Sequence, residues 1–497
     1  MALLLASPAA AQRVSHLGPG CWRTATSRQE AGSRMAATKP FSLRKGGSAT
    51  GYFGKKKGLV ILCEFKDLQF QLNNDREKYN EILNAHGYSS SEGFVGSVSD
   101  YFLEQSGGLF ELQFDVVGPY TTRREMAYYG ENDTEGLDKH PQEMVKEMCK
   151  KADKEVNFAD YDWDGDGEVD EVFVVYAGMG ESSGGGKTTI WPHMWSLSES
   201  LTLDGVRINV YACANELASE TRIDGIGTFC HEFSHCLGLP DFYDLNYTGL
   251  YGMGSYDVMC MGCNNGLGFV PAGYTSFEKM ACGWQQPIVL GDDDVIVENM
   301  KPMNEQGDFY ILYNDAYPNE YYLVENRQRK GWDAKIPGKG LMICHVDYDE
   351  YVWCNNIPNT VMTKEEALKQ GYACGNDHQR MTFFYANNSD LIPKLYPYGQ
   401  CDSLTATSLP AATLFNNNSF GTKQMMGSIL DIRQNTDGTM SFRYRSVNPT
   451  IVTGIGERQS LSPKPHNIYT LDGRVVGTSL KSLPHGIYII DGQKVVR

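Results

Sequence analysis

The chain has 497 residues, 41% of them hydrophobic and 21% charged, which is room for two to four domains with a sizeable core. Its net charge of −17 is uneven: residues 1–60 carry ten Lys or Arg against the single Glu30, which leaves 34 basic and 60 acidic residues, or −26, in the remainder. An acidic body argues against a nucleic-acid partner and suits divalent cations, and without a run of 18 apolar residues no transmembrane segment is expected.

Residues 1–55 are rich in Ser, Gly, Ala and Arg without periodicity and read as a leader or flexible lead-in. The opening M-A-L-L-L-A-S-P-A-A-A-Q is like the end of a secretory signal peptide, with an A-x-A-like site at Ala9 to Ala11 but no basic n-region. Gly58 to Phe65 has the length and apolarity of a first buried strand. Residues 74–86 and 94–105 read as helices, the second with Val98, Tyr101 and Phe102 on one face. Leu109 to Val117 alternates as a strand, 140–154 reads as a helix, and Glu171 to Tyr176 as another buried strand. Strands and helices thus alternate up to the segment that begins at His231, the pattern of an α/β catalytic domain, here residues 56–285. From 286 to 447 short strands between Gly, Asn and Asp turns predict a β-rich domain, and residues 455–497 a small β tail domain.

Two segments carry chemistry. Asp160 to Glu171 reads D-Y-D-W-D-G-D-G-E-V-D-E, in which Asp162, Asp164, Asp166 and Asp170 surround a glycine-permitted turn. Closely spaced carboxylates repel one another unless a cation joins them, and the hard oxygens suit calcium. Phe173 stands where an EF-hand has its bidentate Glu, so this is a calcium loop of another kind.

Residues 231–241 read H-E-F-S-H-C-L-G-L-P-D. His231 and His235, four apart, lie on one helical face and can grip a single metal ion while Glu232 points toward a water beside it. Gly238 lets the chain leave the helix through a left-handed residue, which brings Asp241 back as a third ligand. Three protein ligands with an open fourth position are the coordination of a catalytic zinc. Ile226, Phe229, Phe233, Leu237 and Leu239 supply apolar packing, and Asp224 stands where an N-cap is expected. Asp244 fits the ligand spacing less well and reads as supporting or structural. His193, in W-P-H-M-W, and His345 read as structural. The thirteen cysteines, including Cys230, Cys236 and the lone C-x-x-C of Cys260 and Cys263, read mainly as small buried thiols.

The words G-T-F-C-H-E-F-S-H-C-L-G-L-P-D-F-Y-D, D-W-D-G-D-G-E-V-D-E-V, G-S-V-S-D-Y-F-L-E-Q-S and Y-L-V-E-N-R-Q together resemble the immune-inhibitor-A-like secreted metallopeptidases of bacteria, from about Gly58 to about Tyr444. The resemblance implies a zincin-type catalytic domain, a sheet with an active-site helix. It implies zinc on His231, His235 and Asp241, with Glu232 as general base. It also implies a metzincin-type Met-turn at Met259, with Met253 and Met261 as alternatives in G-M-G-S-Y-D-V-M-C-M-G. Ser234 stands where the family commonly has Gly. Cys21 in the lead-in has the chemistry to cap the zinc as a thiolate, but nothing around it supports that role. Tyr243 and Tyr256 are both near enough in sequence to stabilise an oxyanion.

At the other end, N-I-Y-T-L-D-G-R-V-V and L-P-H-G-I-Y-I-I-D-G-Q-K-V-V-R resemble the C-terminal sorting domain of type IX secretion, with Gly486, Tyr488, Gly492 and Arg497 on its pattern. Turns are expected at Asp472-Gly473 and Asp491-Gly492. That resemblance implies the type IX secretion machinery as a partner, and release to, or display on, the surface of a Gram-negative bacterium. The expected activity is hydrolysis of protein or peptide substrates. The rivals are a surface binding protein with a vestigial zinc site and a metal hydrolase of non-peptide amides or esters; an intact Glu232 argues against the first.

Overall fold

The computed structural model describes residues 52–447, apart from Glu135, and the backbone of four short strands between residues 468 and 496. Ala9 to Ala11, Cys21, Asp472, Gly473, Gly486, Asp491, Gly492 and Arg497 lie outside the described residues.

Apolar residues run from Leu59 to Cys63 in strand β1 (Gly54–Glu64), and both faces of that stretch are buried. Leu59, Ile61 and Cys63 enter one core while Val60 and Leu62 enter another. Such a strand belongs inside a sheet that is covered on both sides. Accordingly β1 has parallel neighbours on each side, β2 (Phe110–Thr121) and β3 (Phe173–Met179). Beyond β3 lie β4 (His193–Leu203) and β5 (Val206–Ser219), giving the order β2-β1-β3-β5-β4. Here β5 is parallel to β3 and β4 antiparallel to β5, while the two-residue β6 (Arg222–Ile223) also pairs with β5.

Helices cover both faces. α1 (Arg76–Asn84) and α2 (Val98–Gln105) bury Ile82, Leu83, Val98 and Phe102 against one face. α3 (Met126–Gly130) and α4 (Pro141–Ala152) bury Met126, Met144, Val145 and Met148 against the other. α2 starts at Val98, later than periodicity suggests, because Ser97 and Asp100 form a capping box there. Phe94 packs instead edge-on to Phe269, with ring centroids 4.8 Å apart.

The expected alternation of strand and helix breaks just before the site helix. β4 and β5 are consecutive strands of one hairpin, in which Leu203 pairs with Val206. Asp204 and Gly205 turn the chain with φ of 50° and 82°, the two positive values that a tight two-residue hairpin requires. The site helix α5 (Ile226–Cys236) follows and packs beside α2 on the sheet.

The next 160 residues are β-rich. β7 (Ile288–Val289), β9 (Tyr310–Tyr313), β10 (Glu320–Arg327), β11 (Gly340–Asp347) and β12 (Met381–Phe383) make one sheet, and β8 (Val295–Met300), β13 (Gly427–Gln434) and β14 (Met440–Ser446) another. Side chains again alternate between cores. Tyr321, Leu323, Met342, Cys344 and Val346 join the core beneath α5, whereas Tyr322, Val324, Leu341 and Ile343 meet Ile429 and Phe442 of the smaller sheet. At the seam Arg327 is wholly buried, with Nη2 2.6 Å from Asp333 Oδ1 and Nη1 3.1 Å from Glu325 Oε1. Glu325 Oε2 in turn accepts the Ser276 amide, 2.6 Å away, at the start of α6 (Ser276–Ala281). This is the E-N-R part of the Y-L-V-E-N-R-Q segment, and its charges are satisfied as a closed group.

Residues 448–497 form a second compact unit. Its strands β15 (Ile468–Thr470), β16 (Val475–Gly477), β17 (Ile487–Ile490) and β18 (Gln493–Val496) pair antiparallel in the order β16-β15-β17-β18. No helix of the described residues is long and apolar enough to cross a membrane.

Gly227 in the first turn of α5 sets how closely the segment after the site can approach. A Cβ there would stand 1.8 Å from the Cys263 carbonyl oxygen, which is backbone and cannot swing away. Gly227→Ala is therefore expected to cost about 3 kcal/mol of stability, measured as a lower midpoint in equilibrium denaturation; an unchanged midpoint would contradict this packing.

Candidate metal centre

The residue at the N-terminal boundary of α5 is Gly225, one position after the expected cap, Asp224. Any side chain at 225 would collide with the Gly268 backbone, 2.1 Å from a Cβ. Asp224 supports the turn from outside, its carboxylate accepting the Gly225 amide and the Thr228 hydroxyl, each at 2.9 Å. Ile226, Phe229 and Phe233 form the face turned to the sheet, with Phe229 stacked on Phe173 at 3.8 Å between centroids. That leaves His231 and His235 together on another face, their rings 4.7 Å apart.

Both imidazoles are fixed by their far nitrogens. His231 Nδ1 donates to the Val258 carbonyl at 2.8 Å, and His235 Nδ1 to the Leu239 carbonyl at 2.7 Å. In the neutral imidazole each Nε2 is then the nitrogen without a proton, the one that can bind a metal. The helix ends in a Schellman turn: Gly238, at φ 88°, donates to the His235 carbonyl at 2.8 Å, and Leu239 to the Ser234 carbonyl at 3.2 Å. Three residues later Asp241 Oδ1 lies 3.1 Å from His231 Nε2 and 3.3 Å from His235 Nε2. Apart from those imidazoles this buried oxygen has no hydrogen-bond partner among the described residues. Ligand atoms on a tetrahedral ion at about 2.0–2.1 Å stand roughly 3.3 Å apart, so the three atoms fit an ion of zinc's size.

Glu232 is also buried, and its carboxylate comes within 4.8 Å of both histidine ligand atoms. Burial pushes its pKa up, while the two imidazoles and the Met194 amide pull the other way. Burial opposes charge on His231 as well, but the hydrogen bond to Asp241 and the neighbouring Glu232 overcome it and raise that pKa to about 9. Asp241 resists burial because His235 and His231 hold its carboxyl far below the ordinary range. The pocket thus draws positive charge, as protons or as a metal.

The turn around Met259 adjoins this centre through the Val258 carbonyl that accepts from His231. Asp257 Oδ1 accepts the Met259 amide at 2.7 Å, and the Met259 carbonyl accepts the Phe242 amide at 2.7 Å. Met259 and Met253 are wholly buried, whereas Met261 is half exposed. Tyr243 lies beside His231, with ring centroids 6.3 Å apart. Tyr256 turns toward the β-rich half, where its ring meets Phe383 at 5.2 Å. Asp244 closes its own turn by accepting the Asn246 and Thr248 amides and the Thr248 hydroxyl.

The other histidines are engaged elsewhere. His193 sits between the Trp191 carbonyl (2.6 Å) and the Tyr211 hydroxyl (2.8 Å), and His345 Nε2 is 2.8 Å from Glu320 Oε1. The described cysteines are free thiols, most of them buried. In the acidic loop, carboxylate oxygens of Asp162, Asp164 and Asp166 gather within 4.8 Å of one another. Asp170 is not in that group, and its Oδ2 accepts the Trp163 amide at 2.5 Å. Asp162 folds the loop by accepting the Gly165, Asp166 and Gly167 amides.

Sequence reading misses Asn356, 115 positions beyond Asp241. Its Oδ1 accepts the Asp241 amide and its Nδ2 donates to Asp241 Oδ2, both at 2.6 Å. Only the asparagine-rich turn N-N-I-P-N-T hints at it, and spacing gives no sign of its target.

With this geometry in view, comparison with known proteins gives a consistent answer. Residues 46–291 match the catalytic domain of the immune inhibitor A peptidase M6 family. Immune inhibitor A of Bacillus thuringiensis subsp. alesti is 31% identical over 252 residues, 42% of this chain and 36% of that protein. The pre-pro-metalloprotease PrtV of Vibrio cholerae serotype O1 (strain M66-2) is 30% identical over 267 residues, 45% of this chain and 29% of that protein. The chain thus spans about a third of the length of the curated relatives it matches. Over residues 46–291 the chain is thus similar to metallopeptidases of the peptidase M6, or immune inhibitor A, kind.

Proposed function

We propose that the protein is a zinc-dependent endopeptidase of metzincin type, with His231, His235 and Asp241 holding the metal and Glu232 moving protons. The observation that carries this reading is the meeting of Asp241 Oδ1 with both Nε2 atoms, 3.1 and 3.3 Å away, beside a buried carboxylate. When bound, zinc supplies Lewis acidity to the scissile carbonyl and to the attacking water. Glu232, its pKa raised by burial, takes the proton from that water and passes it to the departing amine. The buried imidazoles keep their Nε2 lone pairs for the metal because backbone carbonyls occupy both Nδ1 protons.

Strand β4 gives the substrate a place to lie. Among the described strands it pairs with β5 alone, so no strand lies on its other edge, and Met194 near its start has its amide beside Glu232. An extended peptide added to that edge would carry its main chain past the site. Tyr243 is the tyrosine we assign to the developing oxyanion, since Tyr256 packs on Phe383 instead. We assign calcium to the acidic loop, with Asp162, Asp164 and Asp166 as its centre, and export through the type IX machinery to the terminal unit of residues 448–497.

Casein or gelatin cleavage tests the enzyme. Activity should vanish with a zinc chelator and fall by about 10²- to 10⁴-fold in Glu232→Ala, with the variant still holding zinc. A zinc-loaded wild type that cleaves no protein or peptide substrate would sink the proposal. For the loop, added calcium should raise the melting temperature of the wild type but not of a double Asp162→Asn, Asp164→Asn variant; equal shifts in both would remove calcium from this loop.

A further inference from the structure

The third ligand depends on a part of the chain outside the matched catalytic region. We propose that Asn356 is a positioning residue of the metal centre, delivered by the β-rich half to orient Asp241. This rests on the zinc reading above and adds a residue to it, since the family match ends at residue 291.

Asn356 uses both ends of its amide on one residue. Its Oδ1 accepts the Asp241 main-chain N–H and its Nδ2 donates to Asp241 Oδ2, each at 2.6 Å. The pair fixes the carboxylate plane, engages Oδ2 and leaves Oδ1 to face the two imidazoles. A neutral donor suits this position. Lysine or arginine there would neutralise the carboxylate and compete with a cation for it, whereas an amide orients the charge without cancelling it.

The backbone is shaped for the contact. Asn356 is buried and has φ 60°, a left-handed conformation that asparagine tolerates better than most residues. The turn around it is tied down separately, because Asn376 Nδ2 donates to the Ile357 and Thr360 carbonyls at 2.9 and 3.1 Å. The same turn grips the loop after Asp241 at other points. Asn359 Nδ2 donates to the Phe242 carbonyl at 2.8 Å, and Thr360 Oγ1 accepts the Leu245 amide at 2.9 Å. Those bonds hold the loop without touching Asp241, so they separate loop anchoring from ligand orientation.

The test measures metal binding on the full chain and needs no substrate. Zinc affinity is determined by competition with a chromophoric chelator, and ligand geometry from the visible absorption of the cobalt-substituted protein. Asn356→Gly keeps the left-handed backbone and removes the amide; Asn356→Asp keeps the backbone and the acceptor but replaces the donor by a second carboxylate. Both are expected to bind zinc about 10- to 100-fold more weakly and to alter the cobalt spectrum. Thr360→Val, which loses only the anchoring bond to Leu245, should lower the melting temperature while leaving affinity and spectrum at wild-type values.

Asparagine variants with unchanged affinity and spectrum would overturn the proposal, as would a Thr360→Val variant whose affinity falls as far as theirs. If the glycine variant does not fold, the aspartate variant decides by the same readings. A wild type that binds zinc but cleaves nothing would count against the peptidase reading alone.

Discussion

The structure is organised around three electron-rich atoms that have no reason to meet unless something positive joins them. Asp241 Oδ1 and the Nε2 atoms of His231 and His235 sit about as far apart as ligands on one small ion. Apart from the two imidazoles, no hydrogen-bond partner among the described residues takes up the buried carboxylate oxygen. Holding such a group in low dielectric without a cation is unfavourable, so every support must be fixed by other bonds. The Val258 and Leu239 carbonyls hold the imidazoles, the Schellman turn at Gly238 returns the chain, and Asn356 holds the carboxylate. Gly225 and Gly227 let the backbone after residue 260 press onto the helix that carries the histidines.

The sheet beneath explains why this arrangement is rigid. Its central strands send successive residues into different cores, so a slip of register would move every apolar side chain to the wrong side. Phe229 and Phe233 fasten α5 to that sheet. The core then runs on through Tyr321, Leu323 and Met342 into the next sheet. Arg327, Glu325 and Asp333 make a closed ionic group at this seam, which is why a charged E-N-R stretch can sit wholly inside the protein.

Much of this was legible in the chain, and the limits have physical causes. Local signals carried far: the i, i+4 histidines, the glycine at the helix exit and the apolar runs of β1 and β3 each state their structure within a few residues. The start of α2 depended on the Ser97 and Asp100 capping box, which periodicity alone overlooks. The Asp204-Gly205 turn was written plainly as a D-G pair between alternating strands, yet the helix-and-strand rhythm before it suggested another crossover. Asp224 looked like a cap by composition, but close backbone packing required glycine at the next position. Asn356 lay beyond local reading altogether, because its bond to Asp241 exists only once the β-rich half has folded against the site.

That last contact bears on the timing of synthesis. A chain is made from its N-terminus, and the segment bearing both histidines and Asp241 emerges well before residue 356. At about 5–20 residues per second, the interval for the 115 positions that separate Asp241 from Asn356 is on the order of ten seconds. During it the helix can already present its imidazoles, while the carboxylate lacks the group that aims it. The order of the sequence therefore builds a delay into the protein: the face that bears the histidines is made first and the residue that holds the carboxylate follows later.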